Sequence, residues 1–155
     1  MTLGACAAVK RHGPIGFWSE QRYDKQLRQH GPWPAYYDAK NSRYLARGRY
    51  QHGLYAGRWR YYGPTGVVER MERFARRPYG LISVTEYHPN GHKWRSGQAR
   101  IVDEGDKIHF YWFGTWKVFS PNGQYIGVEQ YERGVLRGKR LVPIDSLTTG
   151  TRTAR

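Results

Sequence analysis

A Pro-x-Gly turn is written three times in this chain, at Pro64-Thr65-Gly66, Pro89-Asn90-Gly91 and Pro121-Asn122-Gly123. In x-Pro-Asn-Gly, Pro presets the first central position of a type I turn, Asn tolerates the second, and Gly takes the left-handed conformation that sends the chain back antiparallel. A chain that repeats this signal spends its length on hairpins. The segments before the turns align as "GRWRYYGPTG", "LISVTEYHPNG" and "FGTWKVFSPNG", and in each an aromatic closes a strand: Tyr62, Tyr87 and Phe119. Stepping back 25 residues from Tyr62 lands on Tyr37, whereas the last interval is 32 because "IVDEGDKI" (Ile101 to Ile108) reads as an inserted loop. After the turns, "VVERMERF" and "QYIGVEQY" have the length and partial alternation of return strands.

Composition agrees with this pattern. Twenty-four aromatics and nineteen Gly among 155 residues favour short strands and tight turns, and the length suits one domain with a modest core. A second signature, Tyr-x2-Gly-x3-Gly, occurs in "YQHGLYAG" (Tyr50 to Gly57) and "YERGVLRG" (Tyr131 to Gly138). Together the two signatures resemble the variant MORN repeat of bacterial proteins over roughly Trp33 to Lys139. The matching positions are Gly57, Trp59, Tyr62 and Gly66 in one unit, and Gly114, Trp116, Phe119, Gly123, Tyr131, Gly134 and Gly138 in another. A third unit departs, with Val84 where Trp is expected.

The resemblance implies a mostly β fold, an elongated antiparallel single-layer sheet of successive hairpins in which each unit contacts mainly its neighbours. The expected organisation is a flexible leader over 1–13, a cap or degenerate repeat over 14–32, hairpin repeats over 33–142 and a disordered tail over 143–155. Gly16 and Trp18 within Pro14 to Gly31 suit a degenerate first unit. The composition of "EQRYDKQLRQ" instead favours a short capping helix.

Strand alternation sorts the repeats into two faces. Trp59, Tyr61, Val84, Glu86, Trp116 and Val118 share one, which reads as the packed side. Arg58, Arg60, Tyr62, Ser83, Thr85, Tyr87, Thr115, Lys117 and Phe119 share the other, where basic residues interleave with a ladder of aromatics. Such a face could bind bases, phosphates or an acidic protein groove. Equally, Tyr37, Tyr62, Tyr87 and Phe119 could stack on one another merely to hold the repeats in register.

Charge points the same way as the second face. Twenty-six Lys and Arg against twelve Asp and Glu give +14, and nineteen of the basic residues are Arg, the side chain suited to bidentate phosphate or carboxylate contacts. An acidic partner fits, although such charge also simply maintains solubility. Arg70, Arg73, Arg76 and Arg77 concentrate in "RMERFARRPYG", either as a contact for an anionic surface or as a solvated link. Trp112, in the aromatic run "HFYWFGTW", is a candidate protein contact if exposed. The acidic "DEGDK" lacks EF-hand spacing and reads as a hydrated loop.

No stretch approaches the roughly 18 apolar residues of a membrane-spanning helix. "LGAC" ending at Cys6 resembles the end of a lipoprotein signal, so Cys6 is a candidate lipidation site; otherwise it is a lone thiol. A lipid there would place the chain at the periplasmic or outer membrane surface, and its absence would leave it cytoplasmic. One cysteine permits no internal disulfide, and no cofactor or metal is expected. His88 and His92 straddle a turn and cannot share a helical face, no nucleophile elbow or phosphate loop is present, and Glu69, Glu72, Glu129 and Glu132 read as scattered surface carboxylates. The expected function is therefore a non-enzymatic repeat scaffold binding another macromolecule, foremost a protein, as an accessory subunit of a larger envelope-associated complex. The alternatives are an antitoxin that neutralises a toxin by direct binding, as the MORN-like resemblance implies, or, from the charge, a basic module for nucleic acid or anionic lipid.

Overall fold

The structure, a computed structural model, describes residues 19–105 and 107–142. The leader with Cys6, the segment through Trp18, Asp106 and the tail from 143 onward lie outside the described residues. Ten strands follow one another: β1 (Arg22–Tyr23), β2 (Gln29–Tyr36), β3 (Tyr44–Gln51), β4 (Leu54–Tyr62), β5 (Val68–Phe74), β6 (Leu81–Tyr87), β7 (Lys93–Asp103), β8 (Ile108–Phe119), β9 (Tyr125–Glu132) and β10 (Val135–Leu141). They form one open sheet in which spatial order equals sequence order and the neighbours pair antiparallel. The described residues contain no helix.

The three Pro-x-Gly turns share one geometry. Gly66, Gly91 and Gly123 sit at φ of 82°, 84° and 80°, and their N–H groups donate to the carbonyls of Gly63, His88 and Ser120 at 2.9, 2.8 and 2.8 Å. Only Gly takes that conformation at no steric cost, which is why the motif ends in it.

Two expectations are corrected. The segment Glu20 to Gln29 is no capping helix: Arg22 and Tyr23 pair with His30 and Gln29, and the link between them is a turn. Asp24 decides this, because its Oδ1 accepts from the backbone N–H groups of Gln26 and Arg28 at 2.9 and 3.0 Å, an alternative to the helical ladder that overrides propensity. Likewise "IVDEGDKI" is mostly strand, with Ile101 opposite Phe110, Val102 opposite His109 and Asp103 opposite Ile108. The insertion lengthens one hairpin arm instead of adding a loop.

A single layer has no second sheet to pack on, so its core must be self-covering. One row across the packed face shows how: Trp33, Gly48, Trp59, Glu72, Val84, Gly97, Trp116, Glu129 and Lys139 succeed one another on β2 to β10. Trp59 lies flat on Gly48 and Trp116 on Gly97, so closely that a Cβ at either glycine would stand 2.0 or 2.3 Å from the ring. The indole N–H groups donate to Arg49 O at 3.0 Å and Gln98 O at 3.2 Å. Trp116 is fully buried, covered further by Trp112 at 4.2 Å and Tyr131 at 5.6 Å between ring centroids. Burying such a ring removes about 200 Å² from water, on the order of 5 kcal/mol of transfer free energy. Ile82, Val84, Ala99 and Phe74 complete the core.

The row alternates with a four-strand period. Hairpin β4–β5 matches β8–β9 with a constant 57-residue offset, Trp59 to Trp116, Glu72 to Glu129 and Gly66 to Gly123. Val84 is not Trp because the strand before it, β5, presents Glu72 at the facing position and not a glycine. On the other side Gly97 is already covered by Trp116.

Candidate functional site

With Ala46, Gly48, Trp59, Glu72 and Phe74 buried on the packed face, alternation turns Arg47 and Arg49 of β3, Arg58 and Arg60 of β4 and Arg73 of β5 to the opposite, outer face. Arg47, Arg49, Arg58 and Arg73 are exposed and Arg60 is half-buried. The register sets Arg47 directly across from Arg60, and Arg58 directly across from Arg73. Like charges facing each other across a strand pair are destabilising by roughly 0.2–1 kcal/mol each. None of the five forms an ion pair with a described carboxylate; Arg47 alone finds a ring, with its guanidinium 5.3 Å from the Tyr44 centroid.

The acids have gone to the packed face. Glu72 and Glu129 are 3% and 7% exposed, contrary to their reading as scattered surface residues. Glu72 accepts from Tyr61 Oη at 2.8 Å and lies 3.2 Å from Arg70 Nε, whose guanidinium covers the Tyr61 ring at 4.3 Å. Arg95 joins Glu86 at 2.5 Å and Glu129 at 3.6 Å, and stacks on Trp94 and Trp112 at 4.2 and 4.4 Å. Burial, then the Glu72 charge, pushes the Tyr61 hydroxyl above its ordinary pKa; burial and the hydrogen bond to Glu129 do the same for Tyr131. The 3.6-residue logic of helices misses such carboxylates, but strand parity finds them, since Glu72 and Glu86 share the face of Trp59 and Val84.

Farther along the outer face, Lys117 is exposed opposite Ser96 and Val128, Arg100 lies 5.1 Å from the Phe113 ring, and the residues between are neutral: Ser83, Thr85, Gln98, Thr115 and Gln130. Glu69 stands at the bulge beside the Gly63 turn, at the margin.

At the opposite end of the strands, the β3–β4 turn and the β5–β6 link enclose a groove of about 930 Å³. Tyr50, Tyr55, Phe74 and Tyr79 supply its rings, with Tyr55 stacked on Phe74 at 5.0 Å, and Arg49, Arg73, Arg76, His30 and His52 supply its polar rim. No carboxylate lines it. Beside it, Asp24 accepts from Arg28 Nε at 2.9 Å and lies 2.8 Å from His52 Nδ1. Burial would raise the Asp24 pKa, but the hydrogen bonds from His52, Arg28 and Gln26 outweigh it and hold the carboxyl well below the usual range.

The residues singled out from sequence fall into separate places. Arg58, Arg60 and Lys117 share the outer face, as parity predicts, and the register adds Arg73 of the basic cluster to it. The aromatic ladder does not form as a stack. Tyr37, Tyr62, Tyr87 and Phe119 belong to every second strand or its margin, about 9–10 Å apart. Tyr62 packs on Tyr44 at 6.0 Å, Phe119 on Tyr125 at 5.9 Å, and Tyr37 donates to Tyr62 O at 2.7 Å. Trp112 points into the core cluster and is no exposed anchor. Arg76 and Arg77 are exposed on the β5–β6 link, and Arg76 borders the groove. Arg47 and Arg49 stand on β3, which closes no Pro-x-Gly turn, so the turn repeat does not reveal them; the sequence signal for them is the alternating "RGR" at 47–49, of which Arg47 comes to face Arg60.

Among the described residues no helix is long and apolar enough to cross a membrane, and no three His, Cys, Asp or Glu side chains cluster as metal ligands. No family model matches the chain, and neither the curated proteins nor the solved structures contain a match to it.

Proposed function

We propose that the chain is a non-enzymatic hairpin-repeat scaffold that docks an acidic macromolecule on the outer face of β3, β4 and β5. The observation that carries this reading is the pair of facing arginine pairs, Arg47 with Arg60 and Arg58 with Arg73, left without carboxylates while every buried acid serves the other face. An arrangement that costs stability and has no structural return is a mark of a binding surface. The MORN-like resemblance favours a protein as the occupant. An acidic subunit docked there would make the chain an accessory component of an assembly, and an acidic toxin would make it an antitoxin; Cys6, if lipidated, would fix the site of action at a membrane surface.

The test replaces Arg58, Arg60 and Arg73 with Gln together. Relief of like-charge repulsion should leave Tm unchanged or raise it by about 2–4 °C, while capture of the native partner from cell extract at low salt falls. Loss of Tm together with capture would give the arginines a structural role and reject the reading.

A further inference from the structure

Resting on that reading, we propose that the acidic protein meets this face with an α-helix laid across β3, β4 and β5, its carboxylates one helical turn apart. The register sets the spacing. Arg47 on β3 stands directly across from Arg60 on β4, and Arg60 directly across from Met71 on β5. One row thus crosses the three strands in steps of about 4.8 Å. Two residues along β4, about 6.8 Å away, Arg58 faces Arg73 and forms a second row. On a helix, side chains at i, i+4 and i+7 recur along one side about every 5–6 Å, close to the step between strands. A rod about 10 Å across fits between the two rows, with acids toward Arg47 and Arg60 on one flank and toward Arg58 and Arg73 on the other. An apolar side chain one turn further on would lie over Met71, which is half-buried on the outer face.

Other acidic shapes match the grid less well. An extended strand carries alternate side chains about 6.8 Å apart, which suits Arg58 and Arg60 along β4 but overshoots the step from strand to strand. A stacked nucleic-acid strand spaces its charges about 3.4 Å apart, short of both spacings. The approach is open: Pro32 and Pro34 border the arginines on β2, and Ser83 and Thr85 border Arg73 and Met71 on β6, all short side chains.

The full chain would be titrated at low salt with two labelled Ala-rich peptides of about 18 residues, long enough to be helical alone, of identical composition in Glu and Leu. In one the Glu residues recur at intervals of three and four and form a single stripe; in the other they alternate and spread around the helix, and circular dichroism matches the two for helicity. The striped peptide should bind about tenfold tighter. Arg47→Gln, Arg58→Gln, Arg60→Gln and Arg73→Gln should each weaken it about two- to fivefold without lowering Tm. If the spread peptide binds as tightly and loses as much to the same variants, spacing is not read: the helix falls and the acidic-partner reading stands. A single-stranded DNA of equal charge that outbinds the striped peptide, with the same dependence on the arginines, would overturn the helix in favour of nucleic acid. Failure of the striped peptide to bind would also overturn the helix, whereas capture of the native partner that still depends on Arg58, Arg60 and Arg73 would uphold the reading beneath it. Indifference of peptides and native partner alike to the arginine variants would overturn both.

Discussion

At the scale of single residues, the informative pairing is a tryptophan on a glycine. Trp59 covers Gly48 and Trp116 covers Gly97, and each ring needs the neighbouring strand to be bare. The same rule explains Val84, whose neighbour on β5 is Glu72. It predicts that Val84→Trp destabilises by about 1–3 kcal/mol through overpacking, read as a lower urea midpoint. Gly97→Ala should cost at least as much, since the added methyl would stand 2.3 Å from the Trp116 ring, and pairing it with Trp116→Leu should cost less than the sum of the two changes. Additive costs in that cycle would mean the ring moves freely and the row imposes no alternation.

At the scale of elements, the turns were the most legible part of the sequence because each is a local rule: Pro, Asn and Gly fix backbone angles without reference to anything distant. The hairpins and their order followed from them. Glu20 to Gln29 misled because helix propensity is a weak prior, and one Asx turn at Asp24 outweighed it. The insertion at Ile101 to Ile108 misled because a longer β-arm and a loop have the same length excess. On the candidate site, strand parity puts Arg58, Arg60 and Lys117 on one face from sequence and Arg73 is legible only as part of a basic cluster, so pairing across β3, β4 and β5 was needed to see that arginine faces arginine. The sheet edges are managed differently. β1 is only two residues long and β2 carries Pro32 and Pro34, whereas β10 is a full seven-residue strand with Val135 and Leu136 half-exposed, a register shift between Leu136 and Gly138, and Arg137, Lys139 and Arg140 along it. Charges and bulges on an edge deter pairing with another chain. Replacing Arg137 and Arg140 with Thr should therefore promote concentration-dependent association in sedimentation analysis; a persistent monomer would show that the bulge alone blocks the edge.

At the scale of the whole molecule, each strand touches chiefly its neighbours in sequence, so stability is close to a sum of hairpins and their interfaces. Within the strands, Arg95 nonetheless reaches past its neighbours: from β7 it meets Glu86 on β6 and, across β8, Glu129 and Tyr131 on β9. Arg95→Met would strand the Glu86 carboxylate and leave Glu129 only Lys139 and Tyr131, a loss of about 3 kcal/mol, whereas the same change with Glu86→Gln should recover most of it. Because coupling runs chiefly through adjacent strands, the damage should stay local. Amide hydrogen exchange in the Arg95→Met protein should quicken across β7 to β10 and remain slow in β3 to β5, the strands that carry the arginine face. Binding through that face would then survive a defect that loosens the far half of the sheet. Uniform acceleration from β2 to β10 would instead show one cooperative unit, and any effect of a distant substitution on binding could no longer be assigned to contact.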